Sequence, residues 1–564
     1  MAPKQTSSPT SSAKGSESDP VTHVLWALCM LELAAIYSPL SQLTLAPVYG
    51  SIPSSVFHHE ITAIIVLLAL TRSSIFSRFM SAQVEYYIPI LASSIPLIQT
   101  FLFKYSTELG VDVGPILTEG LTYYPLLLLS TYSAARVLLD AKIDQYLHAS
   151  MGSTILGLST YGFFVLVRSK SAFLISQLFA YSATVTRVSL QCIIGALFTI
   201  LSPSKLSLLA IPAMIHTTWF NPHFMSPHTD ALANTTLQAS QWNLLERAES
   251  NTGYISVLEN LNAGYRVLRC DHSLLGGEWL ITDERRRQGI TTSEPIYSVF
   301  EILEAVRLVE TPHSNVPDGE KSALVVGLGI GTAPKAFIAH GIDTTVVELD
   351  PKVHEYATRY FDLPENHTAV LEDAVSWVQN ASHNAVKQYD YILHDVFTGG
   401  AEPLPLFTDN FLRDLRSLLT PDGVVAVNYA GDLDDSSTKQ IVNTINLAFD
   451  RQCRMFRDSE PSSERGDTDF LNMVIFCKNS AVGELKFRAP VEADFLGAVS
   501  RRHYLAPKDK LELKFPTEEE MQDYAVQTLT VDNLGGFEKK QVESAKKHWK
   551  IMRLVVPDFV WELW

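Results

Sequence analysis

Two regimes of hydrophobic patterning divide the chain near residue 220. Before that point, apolar runs recur at 24–45, 86–103, 115–139, 147–167 and 174–201, separated by short polar breaks. Each approaches or exceeds the ~20 residues a helix needs to cross ~30 Å of hydrocarbon. A shorter run at 56–71 needs its His58-His59-Glu60 end at an interface, and 206–220 is a short span or an interfacial helix. The pattern predicts a transmembrane helical domain over 21–220 with six or seven helices, preceded by a polar, disordered tail at 1–20. A polar connector, 221–252, follows. The pattern then changes to short apolar stretches with turn residues between them. Tyr254-Ile255-Ser256-Val257 and Tyr265-Arg266-Val267-Leu268 predict a hairpin turning at Asn262-Ala263-Gly264. Leu280-Ile281-Thr282 reads as a third strand and 294–309 as a helix, which gives a β-rich lead-in over 253–310. Alternating strands and helices predict a Rossmann-like α/β domain over 311–480, leaving a C-terminal extension at 481–564.

Charge sharpens the division. Up to Phe220 there are 11 Lys/Arg and 10 Asp/Glu, so that half is nearly neutral and the remaining residues carry essentially all of the formal net charge of −17. An acidic domain is a poor nucleic-acid binder, because phosphates require a basic surface. Five cysteines (Cys29, Cys192, Cys270, Cys453, Cys477) show no CxxC or His/Cys clustering, so neither a metal site nor a disulfide framework is expected. Lys4, Lys14, Arg72, Arg78, Arg136, Lys142 and Lys205 fall on one side of the spans, and Lys104, Arg168 and Lys170 on the other. That bias places the N-terminus in the cytoplasm. Six spans return the second half to the cytoplasm and seven place it outside. Six spans and a cytoplasmic domain are the expectation for this multi-pass membrane protein. Glu32, Glu119 and Arg187 lie inside apolar runs, where a charge requires a partner or a polar cavity.

The chemistry lies in the second half. Ala323-Leu324-Val325-Val326 is a fully apolar strand running into Gly327-Leu328-Gly329-Ile330-Gly331 and then a helix. Glycines there permit a tight turn and close backbone approach, and the helix start offers unpaired N–H groups. A second strand, Thr344-Thr345-Val346-Val347, ends in Glu348, about 20 residues on, where an acid can accept both ribose hydroxyls. A third, near Ala369, ends in Glu372-Asp373-Ala374, placing an acid for an adenine amino group. A fourth, Tyr391-Ile392-Leu393-His394, ends in Asp395. Each acid alone also reads as a helix cap or turn former. Together they put a glycine cradle and three carboxylates at successive strand ends of one nucleoside site.

These motifs, with Asp395-Val396-Phe397-Thr398-Gly399-Gly400 and Leu419-Thr420-Pro421-Asp422-Gly423, resemble the spermidine synthase (polyamine aminopropyltransferase) family and its membrane-fused branch, which share the S-adenosylmethionine-dependent methyltransferase fold. The resemblance covers roughly residues 253–430. It implies that Gly327, Gly329 and Gly331 hold the donor's methionine-derived part, that Glu348 binds ribose, and that Asp373 with Ala374 binds adenine. It further implies Asp395 as the catalytic acid beside the acceptor amine, Tyr297 as a substrate contact, and a homodimer. The donor is S-adenosylmethionine or its decarboxylated form, with no metal. Two family acids are missing, replaced by Ile330 in the glycine loop and Thr398 three residues past Asp395. The expected function is aminopropyl transfer to a polyamine or other amine. One alternative is S-adenosylmethionine-dependent methylation of a small or membrane-soluble metabolite, and another a non-catalytic nucleoside-binding scaffold. Near the end, 539–556 reads as an amphipathic basic helix with Trp549, followed by Trp561 and Trp564, packing on the core or touching lipid.

Overall fold

The computed structural model describes residues 20–78, 80, 83–140, 152–182, 184–312, 316–384, 387–396, 403–460, 471–480, 483–522 and 528–564. Its first half is helical: α1 (Pro20–Tyr49), α2 (His58–Thr71), α3 (Ile88–Phe103), α4 (Ser106–Leu121), α5 (Tyr123–Asp140), α6 (Gly152–Tyr181), α7 (Arg187–Leu201) and α8 (Ile211–Trp219). Four segments are long and apolar enough to cross a membrane: Val21–Tyr49, Ser51–Thr71, Val84–Phe103 and Gly157–Phe179. Small and aromatic side chains such as Ala27, Ala34, Tyr37 and Phe164 fill the bundle interior. Its outside leaves Ile64, Phe101, Leu166, Phe173 and Ile200 about half exposed or more. The charges inside apolar runs resolve differently. His58 Nδ1 meets Glu119 Oε1 at 2.7 Å, with Ser38, Ser41 and Tyr124 hydroxyls completing the hydrogen bonds. Arg187 pairs outside the bundle, and Glu32 lies on the exposed face.

The segment expected to be a polar connector holds a helix, Pro227–Gln238, and a strand, β1 (Trp242–Glu249). The residue pattern concealed β1 because Glu246, Arg247 and Glu249 interrupt its apolar positions. β2 (Tyr254–Asn260), β3 (Tyr265–Cys270), β4 (Ser273–Trp279) and β5 (Glu294–Pro295) complete a five-stranded antiparallel sheet in sequence order. The third strand therefore precedes Leu280-Ile281-Thr282, and the expected helix at 294–309 begins as β5, becoming helical only at Val299–Leu303.

An eight-stranded sheet follows in the order β13-β11-β12-β10-β9-β6-β7-β8. Its strands are β6 (Ser322–Val326), β7 (Asp343–Val347), β8 (Thr368–Val370), β9 (Tyr389–His394), β10 (Leu419–Gly431), β11 (Cys453–Arg457), β12 (Leu471–Lys478) and β13 (Glu512–Leu513). β6 through β10 are parallel; β12 runs antiparallel to β10. Along β6, Ala323 and Val325 face one buried core, and Leu324 and Val326 the other. Helices covering both faces explain why this strand is apolar throughout. The order reverses between β6 and β9, and at such a switch the loops diverge to leave a crevice. Cys453 and Cys477 are cross-strand partners on β11 and β12 and form a disulfide, correcting the expectation of free thiols. Their 24-residue separation gave no local signal; the strand pairing brings them together.

The C-terminal extension joins the two halves. Its helix α10 (Gln541–Val555; α9 is Thr332–Ala339) and the residues after it pack on one face of the five-stranded sheet through Met552, Val560 and Trp561. Trp549 Nε1 donates to Val48 O at 2.9 Å, at the end of α1. Trp564 stacks on His223, with ring centres 4.8 Å apart. Arg269 is fully buried, has no ion-pair carboxylate among the described residues, and donates to the carbonyls of Pro47, Val560, Trp561 and Asp271. Arg187 bridges Glu249 at 2.8 Å and Asp271 at 2.7 Å. Removing one member of such a buried group strands the others, at roughly 3–5 kcal/mol. Arg187→Leu should therefore lower the thermal unfolding midpoint of the detergent-solubilised protein far more than Arg502→Leu, whose partner Glu492 is solvent-exposed.

Candidate active site

The glycine loop is built by close approach. Gly327, Gly329 and Gly331 all adopt positive φ (84°, 57° and 79°), which side chains other than glycine rarely take. A Cβ on Gly327 would lie 2.1 Å from the Asp395 carbonyl oxygen, and one on Gly329 2.4 Å from that of Leu275. The loop is thus wedged between the end of β9 and the five-stranded sheet. α9 starts immediately after Gly331 and directs its free N–H groups toward the strand ends.

A cavity of about 800 Å³ opens there, lined by Gly327, Leu328, Gly329, Glu348, Asp373, Ala374 and Asp395, and also by Tyr297. All the expected site residues line it except Gly331, which packs on Leu363 and sets the start of α9. Glu348 follows β7 directly. It is buried, and its Oε1 accepts the Asp350 N–H at 2.8 Å. Burial pushes its carboxyl up to about 7, against the lowering pull of these backbone N–H groups. Asp373 is exposed and also caps the helix after it, accepting from Val375 N, Ser376 N and Ser376 Oγ. Asp395 accepts from Asn428 Nδ2 at 2.7 Å, and enclosure raises its carboxyl to about 6. The Tyr297 hydroxyl is enclosed without a hydrogen-bond partner among the described residues, and burial raises its pKa.

Ile330 is buried and points away from the carboxylates, filling the space that glycine leaves at Gly276 on β4. Thr398 lies outside the described residues. Several lining residues had no sequence signal. Asn428 sits on β10 beside Asp395, while Asp458 directly follows β11 and Asn472 lies on β12. His548, Met552 and Val555 on α10 close the far wall. They reach the cavity only because the extension returns across the five-stranded sheet. Among the described residues there is no cluster of three or more His, Cys, Asp or Glu able to hold a metal.

Residues 303–457 match the spermine/spermidine synthase domain family. An N-terminal histidine N-methyltransferase of Emericella nidulans is 44% identical over 560 residues, covering 97% of this chain and 99% of that protein. The chain belongs to that enzyme's family. It is a transferase, an S-adenosylmethionine-dependent methyltransferase, and its donor is a sulfonium nucleoside. A polyamine aminopropyltransferase of Vibrio vulnificus is 35% identical over 109 residues, 19% of this chain and 36% of its own length. Human methyltransferase-like protein 13, solved with SAH, superimposes with a TM-score of 0.28 at 21% identity, over 40% of this chain and 97% of its own. The first-choice expectation of aminopropyl transfer thus gives way to methyl transfer. The aminopropyltransferase likeness is confined to the domain that methyl and aminopropyl enzymes have in common.

The residues fit the donor. The glycine cradle leaves backbone exposed where a Cβ would collide, and two desolvated carboxylates face the same space with no cation beside them among the described residues. A sulfonium nucleoside supplies hydroxyls for one and positive charge for both. Gly327→Ala should abolish donor binding measured by calorimetry, since its Cβ meets backbone that cannot move aside.

Asp395 carries an opposed pair of consequences. Its pKa in the folded protein, about 6, exceeds the ordinary 3.8. Between those values the folded state holds a proton that the unfolded chain has lost, so stability falls as pH rises from about 4 to about 6. Above pH 6 the full penalty applies, up to about 3 kcal/mol at 1.36 kcal/mol per unit. Asp395→Asn should raise the unfolding midpoint at pH 8, leave it little changed at pH 4, and remove turnover while donor affinity persists.

Proposed function

We propose that the protein methylates a nitrogen of an N-terminal histidine on a polypeptide, using S-adenosylmethionine, from a membrane-embedded position. The observation that carries this reading is the end-to-end relationship to the Emericella nidulans enzyme, which spans the helical bundle, the catalytic sheet and the extension alike. In this reading the loop at Gly327 and Gly329 holds the methionine part of the donor, and Gly331 shapes that loop. Glu348 accepts the ribose hydroxyls, and Asp373 beside Ala374 accepts from adenine. Tyr297 and Asn428 flank the acceptor.

The electrostatics favour a ring nitrogen as the acceptor. Bound in the cradle, the donor supplies a methyl group on a positively charged sulfur. Transfer forms an N–C bond, breaks the C–S bond and leaves the electron pair on sulfur, so the attacking nitrogen must be neutral. Imidazole, with an ordinary pKa near 6.5, is largely neutral at pH 7, whereas an α-amino group near 7.7–8.0 is not. Asp395, at about 6, is closely matched to accept the proton that the ring loses after methylation. Ile330 supports methyl over aminopropyl transfer. A buried aliphatic side chain there supplies no anion for the primary amine of a decarboxylated donor.

The membrane assignment rests on the four long apolar segments and on the exposed apolar side chains around the bundle. Water exposure of so broad a surface would be costly.

The test is incubation of the full-length protein in detergent or vesicles with S-adenosylmethionine and a peptide beginning with histidine. The expected products are S-adenosylhomocysteine and a singly methylated N-terminal residue, with no reaction when alanine replaces the histidine. Transfer to putrescine from decarboxylated S-adenosylmethionine, releasing methylthioadenosine, would overturn the assignment. Below pH 6 the rate should fall as Asp395 takes up a proton.

A further inference from the structure

We infer that Asp458, anchored by Asn472, binds the terminal ammonium of the acceptor polypeptide and so restricts methylation to a histidine at a chain end. This deepens the N-terminal histidine reading and rests on it.

The cavity holds more negative charge than the donor and the acceptor ring require. Four carboxylates line it, Glu348, Asp373, Asp395 and Asp458, and among the described residues no lysine or arginine does. Glu348 and Asp373 follow β7 and β8, on the donor's half of the crevice, and Asp395 serves the ring. Asp458 has no part in that division. It follows β11, beyond β10 and on the side of Asp395 away from Gly327 and Glu348.

The setting of Asp458 repeats that of Asp395. Asp395 accepts from Asn428 Nδ2 on β10 at 2.7 Å, and Asp458 accepts from Asn472 Nδ2 on β12 at 3.3 Å. The Asp458 N–H donates back to Asn472 O at 3.1 Å, and Ser459 Oγ donates to the other carboxylate oxygen at 3.0 Å. These partners are neutral, and among the described residues they leave the carboxylate's charge uncompensated.

Strand register sets the spacing. Ala430 pairs with Asn472 and Asn428 with Val474, so the two amides are diagonal neighbours across β10 and β12, about 7–8 Å apart. Ala430 lies between them on the cavity wall, and its small side chain leaves the gap open. One carboxylate stands at each end of a gap on the scale of a single amino-acid residue.

An N-terminal histidine matches both ends. It offers an imidazole to Asp395 and an α-ammonium, with an ordinary pKa of about 7.7–8.0, to Asp458. A histidine inside a chain has an uncharged amide at that position and a preceding residue to accommodate. Pairing with Asp458 also keeps the α-nitrogen protonated. A protonated nitrogen has no lone pair, so the methyl group goes to the ring.

The experiment gives full-length protein in detergent two peptides beginning with histidine, one with a free terminus and one acetylated. The wild type should use the free peptide at least about tenfold better in kcat/KM. Asp458→Asn should raise KM for the free peptide roughly ten- to a hundredfold, the effect of losing a hydrogen bond between charged groups, and abolish the preference. Asn472→Ala, which keeps the carboxylate but removes its anchor, should lower the preference partway. Wild-type KM should also climb as pH passes about 8, where the ammonium loses its proton, with no such climb in Asp458→Asn. Equal use of both peptides by the wild type would overturn the inference. So would an Asp458→Asn protein that keeps the preference, or one that loses donor affinity by calorimetry, since the donor's own ammonium would then occupy the carboxylate. Failure of the wild type to methylate either peptide would instead overturn the histidine reading itself.

Discussion

The position of the catalytic cavity depends on charge buried at one junction. Arg187, at the first turn of a bundle helix, is held by Glu249 and Asp271 of the five-stranded sheet. Arg269, one strand away, donates into the carbonyl end of α1 and into the last turns of the chain. Neither guanidinium can be returned to water without separating the two halves, and neither can lose its partners cheaply. Carbonyls at a helix C-terminus carry partial negative charge, which explains how Arg269 stays buried without a carboxylate of its own.

The same junction shapes the active site. The extension that closes the junction through Trp549, Trp561 and Trp564 also supplies the wall of His548, Met552 and Val555 facing the carboxylates. A substrate entering the cavity therefore meets a surface whose placement is fixed by contacts with the helical bundle. The bundle is thereby part of the scaffold of the site, and the carboxylates are raised because that scaffold keeps water away from them.

Within the cavity, the chemistry is divided between rigid backbone and desolvated carboxylates. Backbone at Gly327 and Gly329 costs no reorganisation when a ligand arrives. Glu348 and Asp395 sit at strand ends a few residues from the cradle, where parallel pairing fixes their separation. Asp395 combines an instability of the free protein with a pKa suited to an imidazole, the kind of trade in which a site gives up folding energy for reactivity.

The sequence by itself determined the parts that local pattern encodes. Apolar run length marked the bundle, and the apolar strand before Gly327 marked the buried parallel sheet. The acids after β7, β8 and β9 were legible because a strand end at a switch point is a local event followed by a short loop. Tertiary structure alone decided what depends on distant segments meeting. The Cys453–Cys477 bond, the Asn428 contact to Asp395, the α10 wall and the strand β1 inside an apparent connector are all long-range pairings, and a run of residues cannot show which partner it will meet. Whether a helix crosses is set by its length and polarity, but where its ends lie is set by what they touch.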